Sequence, residues 1–98
     1  MNYRFTPDAR DDLHEAVEFY ELQRQGLGGE FAVELGIGIA RVLDAPNRWP
    51  EVEPGIRKYR IDRFPYGIFY QTPDRATVQI VAVFDLRRRP GTWQRKHR

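Results

Sequence analysis

Two groups of basic residues have the types and spacing needed to bind an anion. Lys58 and Arg60 lie two positions apart, which places both side chains on one face if the segment is a strand. Three consecutive arginines follow the apolar run that ends at Phe84: Arg87, Arg88 and Arg89. Arginine forms paired hydrogen bonds with phosphate and carboxylate groups. These cations could therefore hold an anionic partner or stabilise the charge that develops on a phosphate during its cleavage.

Groups for covalent or acid–base catalysis are few. The sequence contains no cysteine and no serine, which excludes a thiolate nucleophile, a cysteine-ligated zinc site and a serine-based triad. His14 falls on an acidic helical pattern and is expected at the surface, and His97 lies in a basic tail. The aspartates of the second half are scattered, at positions 62, 74 and 85, so we predict no metal site and no cofactor.

Three tyrosines could in principle donate protons: Tyr59, Tyr66 and Tyr70. They alternate along two strand patterns with Ile61 and Ile68. A period of two is typical of a sheet face that packs against a core. We therefore expect the three rings to be core residues rather than catalytic acids.

The first half of the chain has helical periodicity after one short strand. Residues 2–5 alternate and predict the strand, and Thr6-Pro7 supplies the capping side chain and the first-turn proline of a helix start. The apolar spacing predicts a first helix that ends near Gln25-Gly26 and a second helix from Leu27 to Asp44. With a short connection, the two would form an antiparallel helical hairpin.

Gly36 and Gly38 interrupt the second helical pattern. Each glycine in a helix interior costs about 0.5–1 kcal/mol relative to alanine. Their bare surface predicts either that the first helix packs closely against them or that the second helix is locally weak. The sequence leaves these two interpretations open.

The second half of the chain changes to a period of two, which predicts strands. Residues 45–55 contain three prolines and are expected to form a loop. Residues 56–63 and 66–71 alternate, 72–75 have a turn composition, and 78–84 are apolar on both parities, as in a central strand covered on both sides. The order strand, helix, helix, three strands predicts an α+β fold, in which the helical hairpin packs on one face of a three-stranded antiparallel meander.

Length and charge indicate one small domain with two oppositely charged halves. We expect a single domain over residues 1–98, with 94–98 as a flexible tail. Residues 1–53 carry five basic and eleven acidic side chains, a net charge of −6, whereas residues 54–98 carry eleven basic and three acidic ones, a net charge of +8. The positive half suits an anionic partner. The sequence has neither the apolar run of about 20 residues that a membrane span needs nor a signal-peptide pattern.

Three phrases of the sequence are informative through their order and spacing: GLGGEF, RFPYGIFYQ and IVAVFDLRRRPGTW. The most specific parts are the R-F-P-Y-x-I-x-Y hairpin and the apolar strand that runs into R-R-x-P-x-x-W. Together they resemble the ParE/RelE superfamily of bacterial toxins, and the resemblance covers nearly the whole chain. It implies a small cytoplasmic toxin of a type II toxin–antitoxin module.

The resemblance implies one of two activities. RelE-like members cut messenger RNA in the ribosomal decoding site, and ParE-like members poison DNA gyrase through protein contacts. If the chain were a nuclease, Lys58, Arg60 and Arg87 would match the cations of the RelE branch and would be the catalytic candidates. The ribosome with its messenger RNA and DNA gyrase are the two cellular partners that follow from these alternatives.

Three positions depart from the nuclease pattern. Gly67 stands where the RelE branch has a further arginine, Trp93 where it has an aromatic hydroxyl, and Asp85 where many relatives have a histidine. These changes remove one cation and the groups that handle protons. We therefore favour a ParE-like toxin that acts by binding, ahead of a RelE-like ribosome-dependent endonuclease and of an inactive homologue that only binds its antitoxin.

The binding interpretation assigns the target contacts to four residues: Arg87, Arg88, Arg89 and Trp93. The alternative is that Trp93 caps the core and the arginines pair with the acidic helices. The resemblance also implies a cognate antitoxin with a segment that folds on binding. Four cations on and beside the strand at 56–63 would suit acidic side chains on that segment: Arg57, Lys58, Arg60 and Arg63. We expect the antitoxin to cover this strand and the apolar surface beside it.

Overall fold

A computed structural model describes residues 1–88. It contains β1 (Asn2–Phe5), α1 (Pro7–Gln23), α2 (Leu27–Asp44), β2 (Glu51–Glu53), β3 (Ile56–Arg60), β4 (Tyr66–Asp74) and β5 (Thr77–Asp85). The strands form one five-stranded sheet in the order β1-β5-β4-β3-β2, and the two helices pack against it as a hairpin. The predicted α+β class, with its strand, helical hairpin and meander, is confirmed. The predicted tail at 94–98 lies outside the described residues.

The helix ends follow from local hydrogen bonding. The Thr6 hydroxyl accepts a hydrogen bond from the Ala9 amide at 3.1 Å and caps α1. Arg24 adopts an extended backbone, so α1 ends at Gln23, slightly earlier than predicted, and Gly26 then turns the chain with a left-handed φ of 90°. The Glu21 carboxylate then accepts hydrogen bonds from the amides of Gly26 and Gly28, at 2.9 and 3.0 Å. Glu21 on α1 thereby caps the free amides at the start of α2.

Glycines allow close packing at two places, Gly28 and Gly38, and neither is a contact of α1 with Gly36 or Gly38. A Cβ at Gly28 would overlap the carbonyl oxygen of Val17, so the two helices make their close approach there. Gly38 faces the sheet, and a Cβ there would lie 3.0–3.1 Å from three side chains: Tyr59, Ile61 and Ile68. Gly36 has nothing within 4 Å of the same position. Of the two interpretations left open by the sequence, close packing applies to Gly38, but against the sheet and not against α1, and it does not apply to Gly36.

The sheet is mixed rather than purely antiparallel. β3, β4 and β5 form the predicted meander. β1 lies parallel to β5, with Asn2 opposite Thr77 and Phe5 opposite Ile80. β2 pairs with β3 at the opposite edge, within the segment predicted to be a loop. The prolines on either side of β2 hide this strand in the sequence pattern. An edge strand tolerates neighbouring prolines because the backbone on its outer side forms no hydrogen bonds to another strand.

The main core lies between the helices and the sheet. Tyr59, Tyr66 and Tyr70 are all buried there, at 5%, 8% and 0% exposure, which confirms them as core residues. The rings of Tyr20, Phe31, Phe64 and Tyr66 contact one another with centroids between 4.8 and 5.9 Å apart. Within residues 1–88, neither helix combines the length and the apolar character that crossing a bilayer requires.

A second apolar cluster belongs to the other face of the sheet. All its members come from strands or from the residue just after β5: Phe69 and Ala82 are buried, with Ile56, Val81, Phe84 and Leu86 packed against them. Lys58 pairs with Phe69, Phe69 with Ala82, Arg60 with Gly67, and Gly67 with Phe84. Paired residues project on the same side of a sheet. We call this surface, which includes Lys58, Arg60, Phe69, Ala82 and Phe84, the outer sheet face.

Candidate cationic interface

Lys58 and Arg60 lie together on the outer sheet face, as their spacing predicts. Arg60 is exposed and Lys58 is half-buried. Among residues 1–88, neither side chain forms an ion pair. Because apolar side chains surround these two charges, the surface suits a ligand that presents both an anion and apolar groups.

The other two cations assigned to the antitoxin have partners within the chain. The Arg57 guanidinium donates to the Trp49 carbonyl oxygen. Arg63 donates to Glu30 at 2.6 Å and lies 4.0 Å from Glu34, so it faces α2. The pair with Arg63 lowers the pKa of Glu30 and raises that of Arg63, which keeps both groups charged. The structure thus brings together Lys58 and Arg60 but directs Arg57 and Arg63 elsewhere.

Arg87 is held by Asp85 through both of its side-chain oxygens. Arg87 Nε lies 3.0 Å from Oδ1 of Asp85 and Nη2 lies 2.8 Å from Oδ2, while the Arg87 amide also donates to Oδ1 at 2.9 Å. The guanidinium and the amide lower the pKa of Asp85, and the carboxylate raises the pKa of Arg87. A bidentate pair of this kind neutralises the charge that a phosphate would need.

Arg88 is the exposed cation next to this pair. Its guanidinium carbon lies 5.5 Å from the centre of the Phe84 ring, within range of a cation–π contact. It lines a groove of about 260 Å³ between α1 and the end of β5, together with Asp12, Phe19, Tyr66, Phe84 and Asp85. The predictions for Arg89 and Trp93 lie outside the described residues.

The surroundings of the groove and the outer sheet face offer little proton-transfer chemistry. Burial raises the pKa of Tyr66 to about 12, so its hydroxyl stays protonated at neutral pH and cannot act as a base. His14 is exposed on α1, as predicted. A Cβ at Gly67 would lie 3.2 Å from Leu86 and 3.3 Å from Lys58 and Phe69, so a long cationic side chain there would displace its neighbours. Across the part of the chain that the structure describes, no group of three or more histidines, aspartates or glutamates could hold a metal ion.

Asp12 is a structural residue that the sequence reasoning missed. Its buried carboxylate accepts a hydrogen bond from the Val83 amide at 3.0 Å. β1 pairs with β5 only as far as Ile80, so the Val83 amide lies past the end of β1, and Asp12 supplies its acceptor. A signal was present, because Asp12 falls on the buried spacing Ala9, Asp12, Ala16, Tyr20, where a carboxylate must find a buried partner.

Comparison with known proteins gives one family and one fold. The family described as "ParE toxin of type II toxin-antitoxin system, parDE" matches residues 3–90. A solved structure titled "Chromosomal ParDE TA system from P. aeruginosa" superposes with a TM-score of 0.76. The match covers 88% of this chain and 96% of that one, and at 17% identity it shows a shared fold. A comparison with curated proteins gave no significant match.

Proposed function

The chain belongs to the ParE toxin family of type II toxin–antitoxin systems, and we propose that it arrests growth by binding a cellular target such as DNA gyrase. On this proposal it acts in the cytoplasm and a cognate antitoxin neutralises it. The observation that carries the choice of binding over catalysis is the bidentate pair between Asp85 and Arg87. It neutralises one of the three cations of this chain that match the nuclease branch.

The remaining chemistry supports the same choice. Cleavage of RNA needs cations at the scissile phosphate and groups that take and give protons. Lys58 and Arg60 could supply charge, but Gly67 supplies none and its surroundings are filled by Leu86 and Phe69. Tyr66 is a poor base because burial raises its pKa to about 12. Binding needs neither a cation at position 67 nor a group that transfers protons.

The proposed target contacts are the exposed arginines after β5. Arg88 offers a guanidinium backed by the Phe84 ring, and such a combination of charge and apolar area is common in interface anchors. Arg89 and Trp93 remain predicted members of the same surface. Arg87 contributes through its exposed edge while Asp85 fixes its orientation.

The antitoxin is proposed to cover the outer sheet face. Lys58 and Arg60 give this face its charge. The half-buried side chains of Ile56, Phe84 and Leu86, which pack against the buried Phe69 and Ala82, give it apolar area. An antitoxin segment with acidic residues beside apolar ones would match both properties. Arg57 and Arg63 are less suited to this role, since each is already bonded within the chain.

A supercoiling assay with purified gyrase tests the target. The wild-type toxin is expected to inhibit supercoiling, and Arg88→Ala should weaken the inhibition by about tenfold, a loss typical of an arginine that anchors an interface. Arg75→Ala is the matched control, because Arg75 is an exposed arginine in the β4–β5 turn, far along the strands from Arg88. Normal supercoiling in the presence of wild-type toxin would refute the gyrase target.

A RelE-like nuclease is the second candidate, because Lys58 and Arg60 share a face as that activity requires. It predicts position-specific cuts in messenger RNA on programmed ribosomes, abolished by Arg87→Ala. The binding proposal predicts intact messenger RNA in the same assay. An inactive homologue predicts neither effect and no growth arrest when the chain is expressed alone.

Calorimetric titration of the toxin with its antitoxin tests the outer sheet face. Reversing both charges, in Lys58→Glu/Arg60→Glu, should weaken binding by at least about tenfold, since acidic side chains would then face glutamates. Arg75→Glu changes the net charge without touching the outer sheet face and should change the affinity little. If the double variant bound as tightly as this control, the antitoxin would have to lie elsewhere.

A further inference from the structure

The exposed face of α2 lacks polar side chains over three turns. Six residues between positions 29 and 40 are exposed, and all are glycine or apolar: Gly29, Ala32, Val33, Gly36, Ile37 and Ala40. Val33 and Ile37 are large side chains with 62% and 42% exposure. The solvent face of a surface helix normally carries charged and polar residues. This face is distinct from the outer sheet face and from the groove beside Arg88, so the proposed function leaves it unexplained.

Small residues make this face suitable for another helix. Ala32, Gly36 and Ala40 recur every fourth residue and so form one ridge along α2. Small side chains on such a ridge allow two helix axes to approach to about 8 Å. Gly36, at the centre, has open space where a Cβ would lie.

Charges along one edge of this face select the partner. Glu30 and Glu34 lie towards the start of α2 and Arg41 towards its end. Consider α2 paired antiparallel with α2 of a second copy, with a twofold axis at Gly36. Each residue then lies beside the residue of the other copy that is equally far from Gly36 on the opposite side. Arg41 then lies beside Glu30 of the second copy, and Ala32 lies opposite Ala40. Parallel pairing about a twofold axis along the helices would instead place the two charged edges on opposite sides of the interface, where opposite charges could not pair.

We propose that the exposed face of α2 is an antiparallel dimer interface between two copies of this chain. The interface is isologous, since each copy contributes the same residues. Arg41 and Glu30 can join it while they keep their present partners, because their side chains are 52% and 36% exposed. One helix face from each copy is a small interface, so the dimer should be in rapid exchange with the monomer. The inference does not rest on gyrase binding or on antitoxin binding.

Disulfide cross-linking tests the antiparallel geometry. The chain has no cysteine, so Gly36→Cys and Gly29→Cys each introduce a single thiol at an exposed site with room for a Cβ. In the proposed dimer the two copies of residue 36 meet at the axis, whereas the two copies of residue 29 lie about 21 Å apart along the helices. A disulfide needs Cα atoms within about 7 Å.

Under mild oxidation of the full chain, Gly36→Cys should cross-link on the order of 100-fold faster than Gly29→Cys, because the dimer holds its thiols at a high effective concentration. Equal, slow rates for the two variants would overturn the dimer. Fast cross-linking of both would overturn the antiparallel arrangement, since a parallel pair brings both positions together.

Sedimentation equilibrium of the full chain provides an independent measurement. The wild-type chain should show a reversible monomer–dimer equilibrium, and Ile37→Glu should raise the dissociation constant at least about tenfold by placing charge in an apolar interface. Val52→Glu is the control, because Val52 is equally exposed, at 43%, but lies on β2. A chain that stays monomeric would contradict the proposal. So would an Ile37→Glu variant that loses antitoxin affinity but no self-association, since the face would then belong to the antitoxin.

Discussion

Asp85 is the residue that decides how much of the charge of Arg87 is available to an outside anion. The sequence marked it only as a departure from the nuclease pattern. The structure adds the reason why the departure matters, because both carboxylate oxygens bind the guanidinium. The sequence could not predict this pair, because the chain can form several kinds of turn where a strand ends. Whether the side chains of residues i and i+2 meet there depends on the turn.

The pH dependence of stability should report on the Asp85–Arg87 pair. Arg87 lowers the folded-state pKa of Asp85, so the pair stabilises the fold fully above the ordinary aspartate pKa and is lost as the pH falls through the lower folded value. Asp85→Asn should therefore reduce the free energy of unfolding at pH 7, by at most about 1 kcal/mol because Arg87 is exposed. Urea unfolding of both proteins over a pH series should show this difference shrink as the pH falls below the ordinary aspartate pKa of about 3.9. A difference of the same size throughout the pH series would mean that the ion pair is not its source.

Asp12 should matter more to stability than any exposed carboxylate. Asp12→Ala removes the acceptor of the buried Val83 amide and should cost about 1–3 kcal/mol. Asp12→Asn keeps an acceptor oxygen and should cost less. Asp11→Ala is the control, because Asp11 is the exposed neighbour on the same helix. Thermal unfolding of the three variants measures the differences, and equal losses for positions 11 and 12 would contradict the role of the buried bond.

At the scale of elements, two glycines in one helix should respond in opposite ways. Gly36→Ala should stabilise the fold by up to about 1 kcal/mol, because alanine favours the helix and its Cβ meets nothing. Gly38→Ala should destabilise it by about 1–3 kcal/mol relative to Gly36→Ala, since its Cβ would press on buried side chains of the sheet. Denaturant titrations of the two variants decide this, and equal stabilities would mean that the core yields around Gly38.

The elements show which parts of the fold a sequence can predict. The cap at Thr6, the second helix and the three meander strands follow from neighbours within a few residues, and all are confirmed. The direction of β1 depends on which distant strand it joins, and the parallel pairing with β5 has no local signal. β2 is only three residues long and owes its structure to β3. The sequence could predict that Lys58 and Arg60 share a face. It could not predict the hydrogen-bond partners of Arg57 and Arg63, because those partners lie in other parts of the fold.

At the scale of the whole molecule, the charges divide the protein into an acidic first half and a basic second half. Residues 1–53 carry a net charge of −6 and residues 54–98 a net charge of +8. The acidic residues lie mainly on the two helices, and Lys58 and Arg60 lie on the outer sheet face. A partner with an acidic segment should therefore be attracted over a distance that depends on the ionic strength.

Association with the antitoxin should be strongly salt-dependent. The association rate constant should fall on the order of tenfold or more between low and physiological ionic strength, because salt screens the attraction that guides the partners together. Stopped-flow measurements over a salt series test this. Lys58→Glu/Arg60→Glu should show a shallower dependence than Arg75→Glu. Rates that do not change with salt would show that the charge division does not steer this encounter.

The position of β1 beside β5 also sets when the protein can become active. A ribosome releases the chain from its N-terminus onward, so β1 and α1 emerge well before the last strand of the sheet. Until β5 follows, β1 has no neighbouring strand and Asp12 has no Val83 amide to bind. We expect that translation which stops before Thr77 yields an incomplete and harmless fragment. On the proposed function, growth arrest can therefore begin only after the fifth strand has been synthesised.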